Sequence, residues 1–137
     1  MIELNGHQMI CQQFGQILKG EGKFENGVCS VSLKRNFPVM VMGRPSKGFL
    51  LANVLFESLD EKGNALNIGE VAILEEEVYA FNRALVQQGI IVSALHNHWI
   101  FIQPNLLYIH FQSVEPPLNF AEKVAYAYST LTSYPAM

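Results

Sequence analysis

The sequence predicts an α+β fold, in which a largely antiparallel sheet carries two helices packed on one face. Short strand-like segments fill the first half of the chain, whereas two amphipathic helical segments lie in the second half. Strands and helices are thus partly segregated, which is typical of α+β domains. With 137 residues, 50% of them hydrophobic, the chain can bury one core, so we expect a single domain over residues 1–137.

Five segments of the first half carry strand signals. Residues 1–13 are mixed and polar, and we expect either a frayed terminus or a short helix there. The step Asn26-Gly27 is a strong signal for a tight turn. The stretch that follows it alternates apolar and small polar residues, as a half-buried strand does. The predicted strands cover residues 14–19, 28–33, 38–43, 49–59 and 70–74.

The second half predicts the order β-α-β-β-α. Acidic residues 75–77 begin a helix in which Val78, Phe81 and Leu85 recur at helical spacing, and Gly89 ends it. Strands over 90–102 and 106–113 follow, and Asn119 begins a second helix. This half has a split β-α-β character. Residues 133–137 are expected to be loose, like residues 1–13.

Composition and charge exclude several classes of function. The net charge is −3 and no basic run exists, so the sequence indicates neither nucleic acid nor a membrane surface as a partner. No segment approaches the ~20 apolar residues of a membrane span. The N-terminal residues lack the pattern of a signal peptide, so we expect a cytoplasmic protein. Cys11 and Cys29 are far apart in sequence, and in a reducing compartment we expect two free thiols.

Three of the four histidines lie within fifteen residues, in two segments that form a predicted hairpin: His96, His98 and His110. Side chains alternate along a strand, so His96 and His98 share a face, from which Asn97 points away. Whether the turn contains an odd or an even number of residues decides whether His110 lies on the same face as these two histidines. A three-residue loop at 103–105 would place His98 opposite His110 and His96 opposite Gln112.

Segregation of apolar residues favours that parity. One face then carries only apolar side chains and packs against the helices, whereas the other is polar; any other parity would mix the two sets and bury polar groups. The apolar set is Leu95, Trp99, Phe101, Leu107, Ile109 and Phe111, and the polar set is His96, His98, Tyr108, His110 and Gln112.

The polar face has two interpretations. In the first, His96, His98 and His110 provide three nitrogens for a divalent metal, with Zn²⁺ the best fit. Water or a carboxylate would take the fourth position, and Glu115, Glu57 or Glu70 could supply it. In the second, the rings hydrogen-bond to Tyr108, Gln112 or backbone carbonyls, and the face is a polar pocket or an interface without metal.

Three stretches of the chain resemble a known family. They run over residues 69–78, over residues 89–98 with its Ala-Leu-His-Asn-His, and over residues 108–111 with its His-Phe. Together they resemble the LppY/LpqO-like family of uncharacterised bacterial domains, over roughly residues 12–131. Residues 113–118 and the predicted helix that follows them resemble a single-copy, Bacillus-type cytoplasmic branch, and the lack of a signal peptide and of a lipidated cysteine speaks against an envelope location. The resemblance implies a compact α+β domain, with His96, Asn97, His98 and His110 as candidate site residues and no established activity. The resemblance also implies that longer members duplicate the domain, so the single copy here is expected to form a homodimer.

The leading hypothesis is a small-ligand or metal-binding domain built on this histidine face. As an enzyme it would perform metal-assisted hydrolysis or isomerisation, with Glu115 or Glu57 carrying the proton. A second hypothesis is a metal-free enzyme with His98 or His110 as general base. A third is a non-catalytic interaction or dimerisation module.

Overall fold

A computed structural model describes residues 6–137, and in it three helices and two sheets alternate along the chain. The helices are α1 (Gly6–Ile17), α2 (Val78–Gln87) and α3 (Pro117–Tyr128). A 3-10 turn at Glu75–Glu77 leads into α2. The strands are β1 (Lys23–Glu25), β2 (Val28–Lys34), β3 (Met40–Val41), β4 (Arg44–Pro45), β5 (Leu51–Glu57), β6 (Ala65–Leu74), β7 (Ile91–Asn97), β8 (Ile102–Gln103) and β9 (Leu106–Glu115).

The main sheet has six strands in the order β1-β2-β5-β6-β9-β7, and every neighbouring pair is antiparallel. The predicted α+β class is confirmed. Both β6 and β7 pair with β9, so they run parallel to each other, and α2 connects them. This arrangement is the predicted split β-α-β unit, with β9 inserted between its two strands.

All three helices cover one face of this sheet. Alternation along β5 shows how: Ala52, Val54 and Phe56 are buried, whereas the residues between them are half-buried on the opposite face. The same period on β2 buries Cys29, Val31 and Leu33. The buried side chains pack with Phe14, Phe81 and Phe120, one from each helix, in the main core.

The N-terminal helix corrects two predictions. Residues 14–17, predicted to begin a strand, are the last turn of α1, and within the predicted loose segment 1–13 residues 6–13 form the rest of this helix. Cys11, Phe14 and Leu18 are buried at i, i+3 and i+7, which is a helical period. Residues 1–5 lie outside the described part of the chain.

Cys11 and Cys29 form a disulfide, so the prediction of two free thiols is wrong. The two residues are distant in sequence, but α1 packs against β2 and brings their Cα atoms to 5.5 Å. A lasting disulfide is more typical of oxidising compartments than of the cytoplasm, and the cytoplasmic location stays a prediction.

Two further boundaries differ from the predictions. Helix α3 begins at Pro117 and not after Asn119, because proline suits the first turn, where its missing N–H is not needed. The tail predicted to be loose is tied down: Ala136 exchanges two backbone hydrogen bonds with Lys34, and the Tyr134 hydroxyl donates to the carbonyl of Leu18.

A small sheet of β4, β3 and β8 lies on the other side of the main sheet and encloses a second core. That core consists of Val39, Leu50, Ala72, Leu74, Leu106 and Tyr108. No helix within residues 6–137 covers the rest of this side, which is called the open face below. It includes Asn53, Glu70 and His110, which pair directly across three strands. Among the described residues, no helix is long and apolar enough to cross a membrane.

Candidate functional site

In the hairpin of β7 and β9, His96 and His110 lie on the same face, as predicted, but the pairing is shifted along the strands. His96 lies opposite Tyr108 and Ala94 opposite His110, so His96 and His110 share the open face. The expected pairing of His98 with His110 is wrong because β7 ends at Asn97. The chain then leaves β9, and Ile102 and Gln103 pair with β3.

Because the connection between β7 and β9 is longer than predicted, the predicted apolar face forms only in part. Leu107, Ile109 and Phe111 pack in or against the main core as expected. Trp99 and Phe101 do not, because they follow the end of β7; they are 45% and 74% exposed.

The rings of His96 and His110 stack on the open face, with their centroids 5.1 Å apart and their planes inclined by 14°. Their Nε2 atoms face each other at 3.1 Å. Each Nδ1 points to an oxygen: His96 Nδ1 lies 3.2 Å from the carbonyl oxygen of Asn97, and His110 Nδ1 lies 3.6 Å from Glu70 Oε2. A carbonyl oxygen only accepts hydrogen bonds, so the contact of His96 with Asn97 favours hydrogen on the Nδ1 of His96. The distance from His110 Nδ1 to Glu70 is longer than a hydrogen bond, and this contact is electrostatic.

With hydrogen on both Nδ1 atoms, two neutral rings would direct their Nε2 lone pairs at one another, which is repulsive unless a proton or a metal ion lies between them. In the other tautomer, one ring carries its hydrogen on Nε2 and donates a hydrogen bond to Nε2 of the other ring. The pair can therefore form a hydrogen bond or hold a cation. Its environment is partly open, with the side chains of His110 and Glu70 exposed by 30% and 39%.

His98 lies beside this pair without joining it. Its ring stacks on Tyr108 at a centroid distance of 4.3 Å, and lies 5.6 Å from the ring of His96. The Tyr108 hydroxyl donates to the carbonyl of Phe49. Burial, and after it the negative charge of Glu70, raises the pKa of Tyr108 to about 12. Tyr108 therefore stays protonated at neutral pH and forms one side of the site.

The remaining predicted site residues lie at varying distances from the pair. Gln112 is exposed two residues along β9 on the same face. The Asn97 side chain donates to Asn105 Oδ1 on the other side of the hairpin. Glu115 lies five residues beyond His110, bound to Lys123 Nζ at 2.6 Å. Glu57 sits at the far end of β5, opposite Leu66. Of the three suggested carboxylates, only Glu70 reaches a histidine.

A shallow pocket of about 420 Å³ adjoins His110 on the open face. The sequence interpretation missed two of its polar residues, Asn53 and Ser93. Asn53 is opposite Glu70, and Ser93 Oγ donates to the carbonyl of His110 at 3.3 Å. The signal for Asn53 was available, because a polar residue stands at a half-buried position of an otherwise apolar strand.

Across residues 6–137, no three His, Cys, Asp or Glu side chains come together in a geometry that could hold a metal ion. The expected set of three histidines is therefore not assembled: His96 and His110 meet through their Nε2 atoms, and His98 does not.

The comparisons with known proteins give a family and no activity. Residues 12–130 match a family model described as a Domain of Unknown Function (DUF1259). The chain belongs to the DUF1259 family. No curated protein and no solved structure matches it significantly. The DUF1259 match agrees with an uncharacterised domain family, whereas the finer resemblance to LppY/LpqO, the cytoplasmic branch and the homodimer stay predictions.

Proposed function

We propose that this domain binds one divalent transition-metal ion, with Zn²⁺ the best fit, through Nε2 of His96 and Nε2 of His110. The observation that carries the proposal is the opposed pair of Nε2 atoms, each on a ring whose Nδ1 faces an oxygen acceptor. Water would complete the coordination and leave positions open for a ligand.

The distance between the two nitrogens supports a shared ion. Zinc–nitrogen bonds of about 2.0–2.1 Å place two ligand nitrogens roughly 2.9 Å apart at a right angle and roughly 3.4 Å apart at a tetrahedral angle. The 3.1 Å between the Nε2 atoms falls within that interval. An ion at that bond length lies off the line between the two nitrogens, so both rings would have to rotate to aim their lone pairs at it.

The outer contacts are those that metal-binding histidines usually have. A ligating imidazole commonly donates its other N–H to a carboxylate or a backbone carbonyl, which fixes the tautomer and the ring orientation. The carbonyl of Asn97 takes that part for His96, and Glu70, whose Oε2 lies 3.6 Å from His110 Nδ1, would take it for His110 when a metal is bound. Glu70 is therefore a positioning residue in this proposal.

A second candidate is a metal-free acid–base site, in which a proton occupies the space between the two Nε2 atoms. It is favoured by the absence of a third ligating side chain in the described residues. His110 would then act as general base toward a ligand in the adjoining pocket, with Glu70 Oε2 3.6 Å from its Nδ1.

Cobalt(II) titration, followed by visible absorbance and confirmed by elemental mass spectrometry after zinc loading, separates the two candidates. We expect about one equivalent of metal per chain in the wild type, and none in His96→Ala or His110→Ala. His7→Ala removes a histidine of α1 and serves as the matched control, which should bind normally. Glu70→Gln should weaken binding about 10- to 100-fold.

His98→Ala distinguishes this pair from the three-histidine set that the sequence suggested. We expect it to retain one equivalent of metal. Loss of metal in His98→Ala as well would overturn the two-histidine site in favour of the three-histidine set. No metal bound by the folded wild type would overturn the proposal and leave the acid–base site.

A further inference from the structure

Polar side chains form a row straight across four strands of the open face. The register pairs Ser32 with Asn53, Asn53 with Glu70, and Glu70 with His110. Directly paired residues point to the same side, and neighbouring strands lie about 4.8 Å apart. The four side chains therefore form a polar row, which ends at the histidine pair.

The pocket beside His110 lies along this row. Asn53, Glu70, Ser93 and Gln112 contribute its polar wall, and Leu55 and Ile68 contribute an apolar patch next to it. Ile68 is 39% exposed although it is a large apolar side chain in the middle of a sheet. The volume of the pocket, about 420 Å³, falls within the range of small-molecule sites.

The row offers both acceptors and donors, because Glu70 only accepts hydrogen bonds whereas the Asn53 amide and the Ser32 hydroxyl do both. Asn53 Oδ1 is buried and accepts no hydrogen bond from the described residues. A buried polar atom without a partner is costly, so turning this side chain toward a donor supplied by a ligand would be favourable. Glu70 adds a carboxylate whose described partner, His110 Nδ1, lies at 3.6 Å. The ligand should therefore bring O–H or N–H groups.

The charges beside the pocket further limit the class of ligand that it can bind. The carboxylate of Glu70 repels an anionic ligand, and a divalent ion at His96 and His110 would repel a cationic one. A hydroxyl group suits both neighbours, because its hydrogen can be donated to Asn53 or Glu70 while its oxygen faces the metal. The apolar patch of Leu55 and Ile68 suits the C–H face of a sugar.

We propose that this pocket binds a neutral, polyhydroxylated compound of monosaccharide size, such as a sugar or a sugar alcohol. The exclusion of a cationic ligand rests on the metal proposed above, because the carboxylate of Glu70 by itself would attract a cation. The hydrogen bonds to Asn53 and Glu70 do not need the metal.

Saturation-transfer NMR with D-glucose and ribitol as probes tests the proposal, with D-gluconate and D-glucosamine as charged counterparts. We expect both neutral probes to bind the wild type, and Asn53→Leu to weaken them at least tenfold. Asn82→Leu, the same substitution on α2, is the matched control and should bind like the wild type. If Asn53→Leu does not fold, Glu70→Gln should give the same loss.

Cobalt(II) binding measured on the same samples separates this proposal from the metal site. Failure of both neutral probes to bind a protein that takes up cobalt would overturn the sugar pocket alone. Tighter binding of gluconate or glucosamine than of glucose would also overturn it. Sugar binding without cobalt binding would leave the pocket standing and overturn the metal site.

Discussion

Glu77 is buried beneath the start of α2 and accepts hydrogen bonds from three residues. Arg35 approaches it with both terminal nitrogens, at 3.0 and 2.8 Å. The backbone N–H of Leu74 and both the N–H and the hydroxyl of Thr132 also donate to it. This carboxylate joins β6, the residue that follows β2 and the segment after α3.

Replacing Glu77 by glutamine should be strongly destabilising. The side chain keeps its size but loses its charge, so Arg35 stays buried without an anionic partner. Removing one member of a buried pair costs about 3–5 kcal/mol. Urea unfolding measures the change, with the exposed neighbour substitution Glu76→Gln as control. A loss no larger than that of the control would contradict the role of the pair.

The same residue predicts how stability depends on pH. Burial alone would raise the pKa of Glu77, but hydrogen bonds from Arg35, Thr132 and Leu74 and the charge of Arg35 outweigh burial and lower it. A carboxyl whose pKa is lower in the folded state stabilises the fold above its unfolded pKa, and loses this effect as the pH falls through the folded value. The free energy of unfolding should therefore fall below about pH 4.5. In Glu77→Gln the free energy of unfolding should fall less steeply with decreasing pH. A pH dependence equal to that of the wild type would contradict the role of Glu77.

At the scale of elements, β6 and β9 approach closely where Gly69 lies opposite Phe111. A Cβ atom on residue 69 would collide with the Phe111 ring, which lies over the glycine. We expect Gly69→Ala to lower the free energy of unfolding by about 1–3 kcal/mol through overpacking. Adding Phe111→Leu should cost less in this background than in the wild type, because the clash is relieved. Gly48→Ala, which meets open space, is the control for chemical denaturation; additive effects of the two substitutions would contradict the clash.

For the whole molecule, the disulfide between Cys11 and Cys29 restricts the unfolded chain. It links α1 to the main sheet across a sequence separation of 18 residues. Closing a loop of that size stabilises a fold by about 3 kcal/mol. Calorimetry of the double variant Cys11→Ser/Cys29→Ser should show a melting temperature lower by roughly 10 °C. Thiol titration of the unreduced, denatured protein should find no free thiol, and two titratable thiols would refute the pairing.

The predicted parts of this fold are those encoded in local periodicity. Alternation in β2, the helical spacing in α2 and the Asn26-Gly27 turn depend only on residues near in sequence, and each predicts its element. The parity of the hairpin followed in the same way, since mixing apolar and polar side chains on one face is costly. Sequence thus placed His96 and His110 on one face.

Contacts between distant segments were decided only by the tertiary structure. The packing of α1 on β2 joined the cysteines, and the pairing of β8 with β3 drew His98 away from the pair. The order of the strands set Glu70 and Asn53 beside His110. Local spacing carries no information about which strand becomes a neighbour, because that choice depends on the free energy of burying the whole sheet against its helices.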